Sequence, residues 1–193
     1  MLKVGIIVGS TRPGRNGEAV ARWVQEQAAK RGDAHYELVD IADFGLPLLD
    51  EPVPAAMGQY GNGHTRRWAD KIGSLDAFVF VTPEYNHSTS AALKNALDYL
   101  FAEWTDKAAA FVGYGSAGGA RAVEHLRTIV ANLGIADVRG QVGLSLFEDF
   151  EDFSRFKPRE MHLQSLDAML DQLVGWGIAL KRHREGLLQR KAA

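Results

Sequence analysis

Short runs rich in apolar residues recur along the chain, and stretches with apolar residues at helical spacing lie between them. Residues 3–8 (KVGIIV) are too few and too uniformly apolar for a helix, and predict a strand buried on both faces. Residues 36–39, 77–81 (AFVFV) and 108–112 (AAAFV) predict three more strands. Residues 138–146, broken by Gly140 and Gly143, predict a weaker fifth. Helical spacing appears over 18–30, with Val20, Ala21, Val24 and Ala28 on one face, and over 64–74, 90–104 and 120–133. The last helix is predicted from Pro158 to about Arg182, with Leu166, Met169, Leu170, Leu173, Val174 and Ile178 as its stripe.

Strands that alternate with helices must pair in parallel through crossovers, which gives an open α/β sheet covered on both faces. No repeat, low-complexity tract or interdomain linker interrupts the pattern, so residues 1–193 read as a single domain. The main irregular stretch is 41–63, with Pro47, Pro52 and Pro54; it is expected to be either a functional rim or a solvated connection.

Composition narrows the function classes. The net charge of −2 offers no basic field for nucleic acid. No apolar run approaches the roughly 20 residues that cross a bilayer. No cationic, apolar and small-residue sequence marks the start as a secretory signal. The absence of cysteine removes disulfides, thiolate metal ligands and cysteine nucleophiles, and a cytoplasmic location is expected. The six histidines show no metal-ligand spacing, and no Gly-x-Ser-x-Gly elbow is present, so neither a metal site nor a hydrolase is expected. His87 reads as a rim histidine, and the basic residues of 181–191 as a solvated tail.

In such sheets ligands sit beyond the carboxyl ends of the strands. Three loops lie there. Residues 9–17 (GSTRPGRNG) run from a strand into a helix, with Ser10, Asn16 and Gly17 beside two cations, Arg12 and Arg15. A helix N-terminus adds about half a positive charge, which suits a phosphate monoester. The spacing departs from both the P-loop and the dinucleotide fingerprint, although Asp40 could serve as a ribose-binding acid. A capped turn, with Asn16 or Ser10 satisfying helix amides, is the structural alternative. Residues 82–90 (TPEYNHSTS) carry Tyr85 and Asn86, an aromatic surface and an amide that match a flat heterocycle with a polar edge. The alternative there is a turn capped by Ser88 or Ser90. Residues 113–119 (GYGSAGG) again open a helix, with glycines that permit close backbone approach.

Gly9-Ser-Thr-Arg12, the run from Pro83 to Ser88 followed by 92–98 (ALKNALD), and 113–119 together resemble the NADPH-dependent FMN reductase family. That resemblance implies a flavodoxin-like three-layer sandwich with a five-stranded parallel sheet of order 2-1-3-4-5 and helices on both faces. It also implies bound FMN, NADPH or NADH as co-substrate, and a quinone, free flavin or similar small oxidant as acceptor. Ser10, Arg12, Arg15, Asn16 and Gly17 would hold the FMN phosphate. Pro83, Glu84, Tyr85 and Asn86 would line the isoalloxazine, and Gly115, Ser116, Ala117, Gly118 and Gly119 would close its other side. Many relatives carry Ser or Thr where this chain has Arg15. The cofactor performs the redox step in such proteins, so no side chain is nominated as acid or base. Glu84 would oppose negative charge on a reduced ring, and is expected to point toward a helix N-terminus or a partner subunit. A homodimer or homotetramer is implied, with part of the apolar stripe over 91–104 as its seam. The alternatives are a flavodoxin-like electron carrier and a Rossmann-type dehydrogenase using Asp40. Arg12, Arg15, Arg66 and Arg67 are the cations available to choose NADPH over NADH.

Overall fold

The structure, a computed structural model, describes residues 1–192. Its elements run β1 (Leu2–Val8), α1 (Gly17–Ala29), β2 (Ala34–Asp40), α2 (Gly63–Gly73), β3 (Ala77–Pro83), α3 (Ala91–Asp98), β4 (Ala108–Gly115), α4 (Ala120–Asn132) and β5 (Ala136–Ser145). A small antiparallel hairpin, β6 (Phe150–Glu151) with β7 (Arg155–Phe156), and the long helix α5 (Met161–Ala192) complete the chain. The five main strands pair in parallel in the order 2-1-3-4-5, as the resemblance implied.

Alternation along each strand feeds two cores. Val4, Ile6 and Val8 of β1, Val79 and Val81 of β3 and Ala110 and Val112 of β4 meet the apolar faces of α1 and α5. Ile7, Phe78, Phe80 and Phe111 point the other way, toward Trp68 of α2, Leu97 of α3 and Leu126 of α4. The sheet thus turns mainly Ala and Val toward one layer, and Phe78, Phe80 and Phe111 toward the other. Because every main strand runs the same way, the loops after β1, β3 and β4 open on one edge.

Three expectations are corrected. The helix predicted over 90–104 ends at Asp98, yet Leu100 and Trp104 stay buried. Trp104 folds back and its indole N–H donates to Leu97 O at 3.2 Å, satisfying a carbonyl at the end of α3 while preserving the apolar spacing. Leu93, Ala96, Leu97, Leu100 and Trp104 are therefore core, while Phe101 of the same stripe is only partly buried. The last helix starts at Met161 rather than Pro158 and continues to Ala192. The segment expected as a solvated tail forms its final turns, where Lys181 and Arg184 each reach Asp76 at 2.8 Å.

The 41–63 stretch is structured rather than loosely solvated. Two single 3-10 turns, Ile41–Phe44 and Ala55–Met57, punctuate it. The Asn95 amide donates to Pro47 O at 2.7 Å and accepts from Leu49 N at 2.9 Å, while Tyr99 OH donates to Asp50 at 2.9 Å. Arg66 and Arg67 donate to carbonyls of this stretch, Tyr60 O at 3.0 Å and Phe44 O at 3.2 Å, and so serve its packing.

Lys107 is buried at the opposite edge of the sheet from the three loops, and its Nζ donates to Ile72 O at 2.7 Å. Burial, aided by repulsion from Arg184, pushes its ammonium down from 10.5 to about 8. Between those values the unfolded chain holds a proton that the folded protein has released, so this residue's contribution to stability improves as pH rises. Relative to Lys107→Met, the parent is expected to gain on the order of 2–3 kcal/mol from about pH 8 to 10.5 in urea titrations. A flat difference across that window refutes the assignment.

Candidate functional site

The first loop leaves the sheet under tight control. Gly9 N–H donates to Val81 O at 2.9 Å, and Gly9 O accepts a short bond from the Ser90 hydroxyl. Ser90 also caps α3 by accepting from Leu93 N at 3.0 Å, so it is the cap, whereas Ser88 pairs with His125 Nδ1 at 2.9 Å. Arg15 turns inward: one guanidinium nitrogen donates to Ser10 O at 2.8 Å and another is ion-paired with Asp40. Asp40 also accepts from Ala42 N at 2.9 Å, so this pairing and cap already occupy the acid that a dehydrogenase would turn toward a ribose. Arg12, by contrast, is exposed and makes no ion pair among the described residues.

Asn16 does not cap α1, and no side chain does. Its Nδ2 instead crosses to Phe153 O at 2.8 Å. Ser10 is fully enclosed; its Oγ accepts from Arg12 N at 3.3 Å and meets Tyr85 OH at 3.0 Å, joining the first loop to the second. Beneath α1 lies Tyr114, whose buried hydroxyl has no hydrogen-bond partner. A Cβ at residue 17 would stand 2.6 Å from that oxygen, so only glycine fits there.

In the second loop Tyr85 and Ser88 exchange backbone bonds of 2.9 and 3.1 Å around Asn86 and His87, which have φ of 47° and 73°. Two consecutive left-handed residues other than glycine are a strained arrangement, of the kind found at ligand clamps. Glu84 turns away from the loop. Its carboxylate accepts from Arg121 N at 3.1 Å and Arg121 Nε at 2.6 Å, at the first turn of α4. Burial works to raise this carboxyl, but the bonds from Arg121 outweigh it and hold the group below the usual range. The helix N-terminus expected for Glu84 is thus the one it occupies.

The third loop folds tightly on itself. Gly119, at φ 72°, is so close to β4 that a Cβ would stand 2.5 Å from Tyr114 N. Together the loops form a cleft of about 370 Å³, within the range of small-molecule sites. Arg12, Arg15 and Asn16 wall one end, and Pro83, Glu84, Tyr85 and Gly115 continue the wall. Ser10 and Gly17 stand behind it, one sealed by Tyr85 and the other over Tyr114. Asn86, Ser116, Ala117, Gly118 and Gly119 lie outside the wall, because the second loop projects outward and the third curls back against β4. The 41–63 stretch contributes nothing to it.

Besides Gly14 of the first loop, four wall residues were not nominated from the sequence: Tyr114, Leu146, Phe153 and Ser154. Tyr114 was accessible by continuing the two-residue alternation of β4 past Val112. The other three carry no periodic signal.

The cleft fits a phosphate-bearing ligand. Its end combines an uncapped helix N-terminus with an unpaired Arg12, and acceptor oxygens can satisfy both.

Comparisons with known proteins agree with this geometry. A family model described as NADPH-dependent FMN reductase matches residues 2–149. An NAD(P)H-dependent FMN reductase of Nectria sp. is 44% identical over 128 residues, 63% of this chain and 64% of that protein. The chain thus spans a little under two thirds of that relative's length. A quinone reductase of Pseudomonas putida is 31% identical over 185 residues, 90% of this chain and 93% of its own length. Among solved structures, the flavoenzyme NAD(P)H:(acceptor) oxidoreductase FerB of Paracoccus denitrificans superposes with a TM-score of 0.74 at 24% identity. That match covers 93% of this chain and 98% of FerB, and shows the shared fold.

The crowding of Gly17 on Tyr114 has a measurable consequence. Gly17→Ala is expected to cost about 1–3 kcal/mol through overpacking. Tyr114→Phe, which deletes an unpartnered hydroxyl, is expected to be neutral or stabilising alone and to recover part of the Gly17→Ala loss. Strict additivity in a double-mutant cycle refutes the contact.

Proposed function

The chain belongs to the NADPH-dependent FMN reductase family, and on that premise we propose that it is an FMN-dependent oxidoreductase. It takes hydride from NADPH or NADH and passes it to a quinone, a free flavin or a similar small oxidant. The observation that carries this reading is the meeting, in one cleft, of an uncapped helix N-terminus beside Arg12 and the aromatic side chain of Tyr85.

FMN, when bound, supplies the two-electron redox chemistry between nicotinamide and acceptor. The protein's own residues bind and orient. Arg12 and the α1 N-terminus hold the phosphate, with the Asn16 side chain at the same end. Arg15 is a support, since Asp40 neutralises it and its guanidinium secures the Ser10 carbonyl. Tyr85 offers the ring a flat face and is fixed by Ser10 at 3.0 Å. Arg121 draws the Glu84 carboxylate to the start of α4, so that its charge does not oppose negative charge in the cleft. No side chain is required as acid or base. A cytoplasmic homodimer or homotetramer completes the proposal, in keeping with the family resemblance.

The purified protein is expected to show flavin absorbance, to release FMN on denaturation, and to oxidise NADPH with a quinone only when FMN is present. Failure to take up FMN under native conditions overturns the reading. Arg12→Ala is expected to weaken FMN binding by roughly tenfold or more, the scale of one charge-assisted bond, while leaving riboflavin affinity nearly unchanged. Equal losses for both ligands in fluorescence titrations would remove Arg12 from the phosphate site.

A further inference from the structure

The hairpin that follows β5 is anchored far more firmly than its two-residue strands require. Its base belongs to an aromatic row: Trp23 of α1 lies 5.8 Å from Phe156, Phe156 lies 5.1 Å from Phe150, and Phe150 lies 6.3 Å from Tyr114. Just before it, the buried Asp149 accepts from Ser145 N at 2.8 Å and from Arg159 N and Nε at 3.1 and 3.0 Å. His162, also buried, faces the same carboxylate at 2.9 Å. Lys157 N donates to Asp149 O at 2.8 Å, which closes the hairpin's return.

All this holds a tip of unfavourable backbone. Asp152 and Phe153 have φ of 49° and 57°, consecutive left-handed residues of which neither is glycine. Such strain persists only where the surroundings over-determine it, and it gathers at ligand clamps. The tip reaches the cofactor cleft: Asn16 of the first loop donates to Phe153 O at 2.8 Å, and Phe153 and Ser154 stand on the cleft wall beside Arg12 and Asn16. The Phe153 ring is 61% exposed there, with Phe147 at its edge, 5.7 Å away.

We propose that this hairpin is a fourth wall of the cofactor cleft: Phe153 and Ser154 contact the phosphate-bearing end of FMN and slow its departure. The inference rests on the FMN reading above and adds a segment that the three loops do not contain. It assigns the hairpin to a contact made with bound FMN, which sets the dissociation rate, while the charges that select phosphate lie on the first loop.

Phe153→Gly is the decisive variant. It removes the ring, retains the carbonyl that Asn16 reaches, and suits a left-handed backbone, so the fold is preserved. With FMN-loaded protein mixed against an excess of apoflavodoxin as trap, the variant is expected to lose FMN about tenfold faster, with an unchanged association rate. Ser154→Ala is expected to act in the same direction and more weakly. Riboflavin, which lacks the phosphate, is expected to leave parent and variant at rates within about twofold of each other. An FMN dissociation rate for Phe153→Gly within about twofold of the parent overturns the inference and leaves the FMN reading standing. Equal acceleration of riboflavin also overturns it, by placing the ring elsewhere on the ligand. A parent protein that takes up no FMN overturns both.

Discussion

Gly9 is fastened through both of its backbone polar groups, and the geometry of the cleft depends on that fastening. Its N–H reaches Val81 O in β3 and its carbonyl takes the Ser90 hydroxyl at the head of α3. One peptide position therefore references the first loop to the strand and the helix that flank the second. A parallel sheet brings the loop origins to one edge, but it leaves their relative heights free. Ser90, Gly9 and the Ser10–Tyr85 contact remove that freedom with three hydrogen bonds made largely out of water, where such bonds resist competition.

The charges around the cleft divide by whether they are already spent. Arg15 and Asp40 neutralise each other, as do Glu84 and Arg121, and both pairs fix a loop rather than present a charge. The Glu84 carboxylate is only 3% exposed, which makes its partner indispensable: a buried carboxylate left alone costs several kcal/mol. Arg12 remains, together with the dipole of α1. A site that cancels most of its charges internally can bind a dianion at one end and tolerate an uncharged heterocycle along the rest.

How far the sequence revealed all this varied with the physics behind each element. The strands and the three loops were legible because buried parallel strands leave a blunt apolar signal, and because Gly, Ser and Asn cluster where strands turn into helices; the strand order came from the family resemblance. The wall at Phe153 was not, since two-residue strands in an acidic, aromatic segment have no period to read. The end of α3 was misjudged because Leu100 and Trp104 keep helical spacing in a chain that has already left the helix. Arg15 was nominated beside the phosphate, and nothing short of coordinates could have shown its ion pair with Asp40, distant by 25 positions.

The division of the interior into an aliphatic layer, facing the sheet's Ala and Val, and an aromatic layer, facing its Phe, also sorts the four tryptophans. Trp68 and Trp104 sit together in the aromatic layer, 6.0 Å apart, each with its indole N–H on a backbone carbonyl. Trp176 is half exposed on α5 and emits into water. Trp23 alone stands in the aliphatic layer, at the root of the hairpin. The four tryptophans thus stand in three different surroundings: a packed layer, solvent, and the neighbourhood of the cleft.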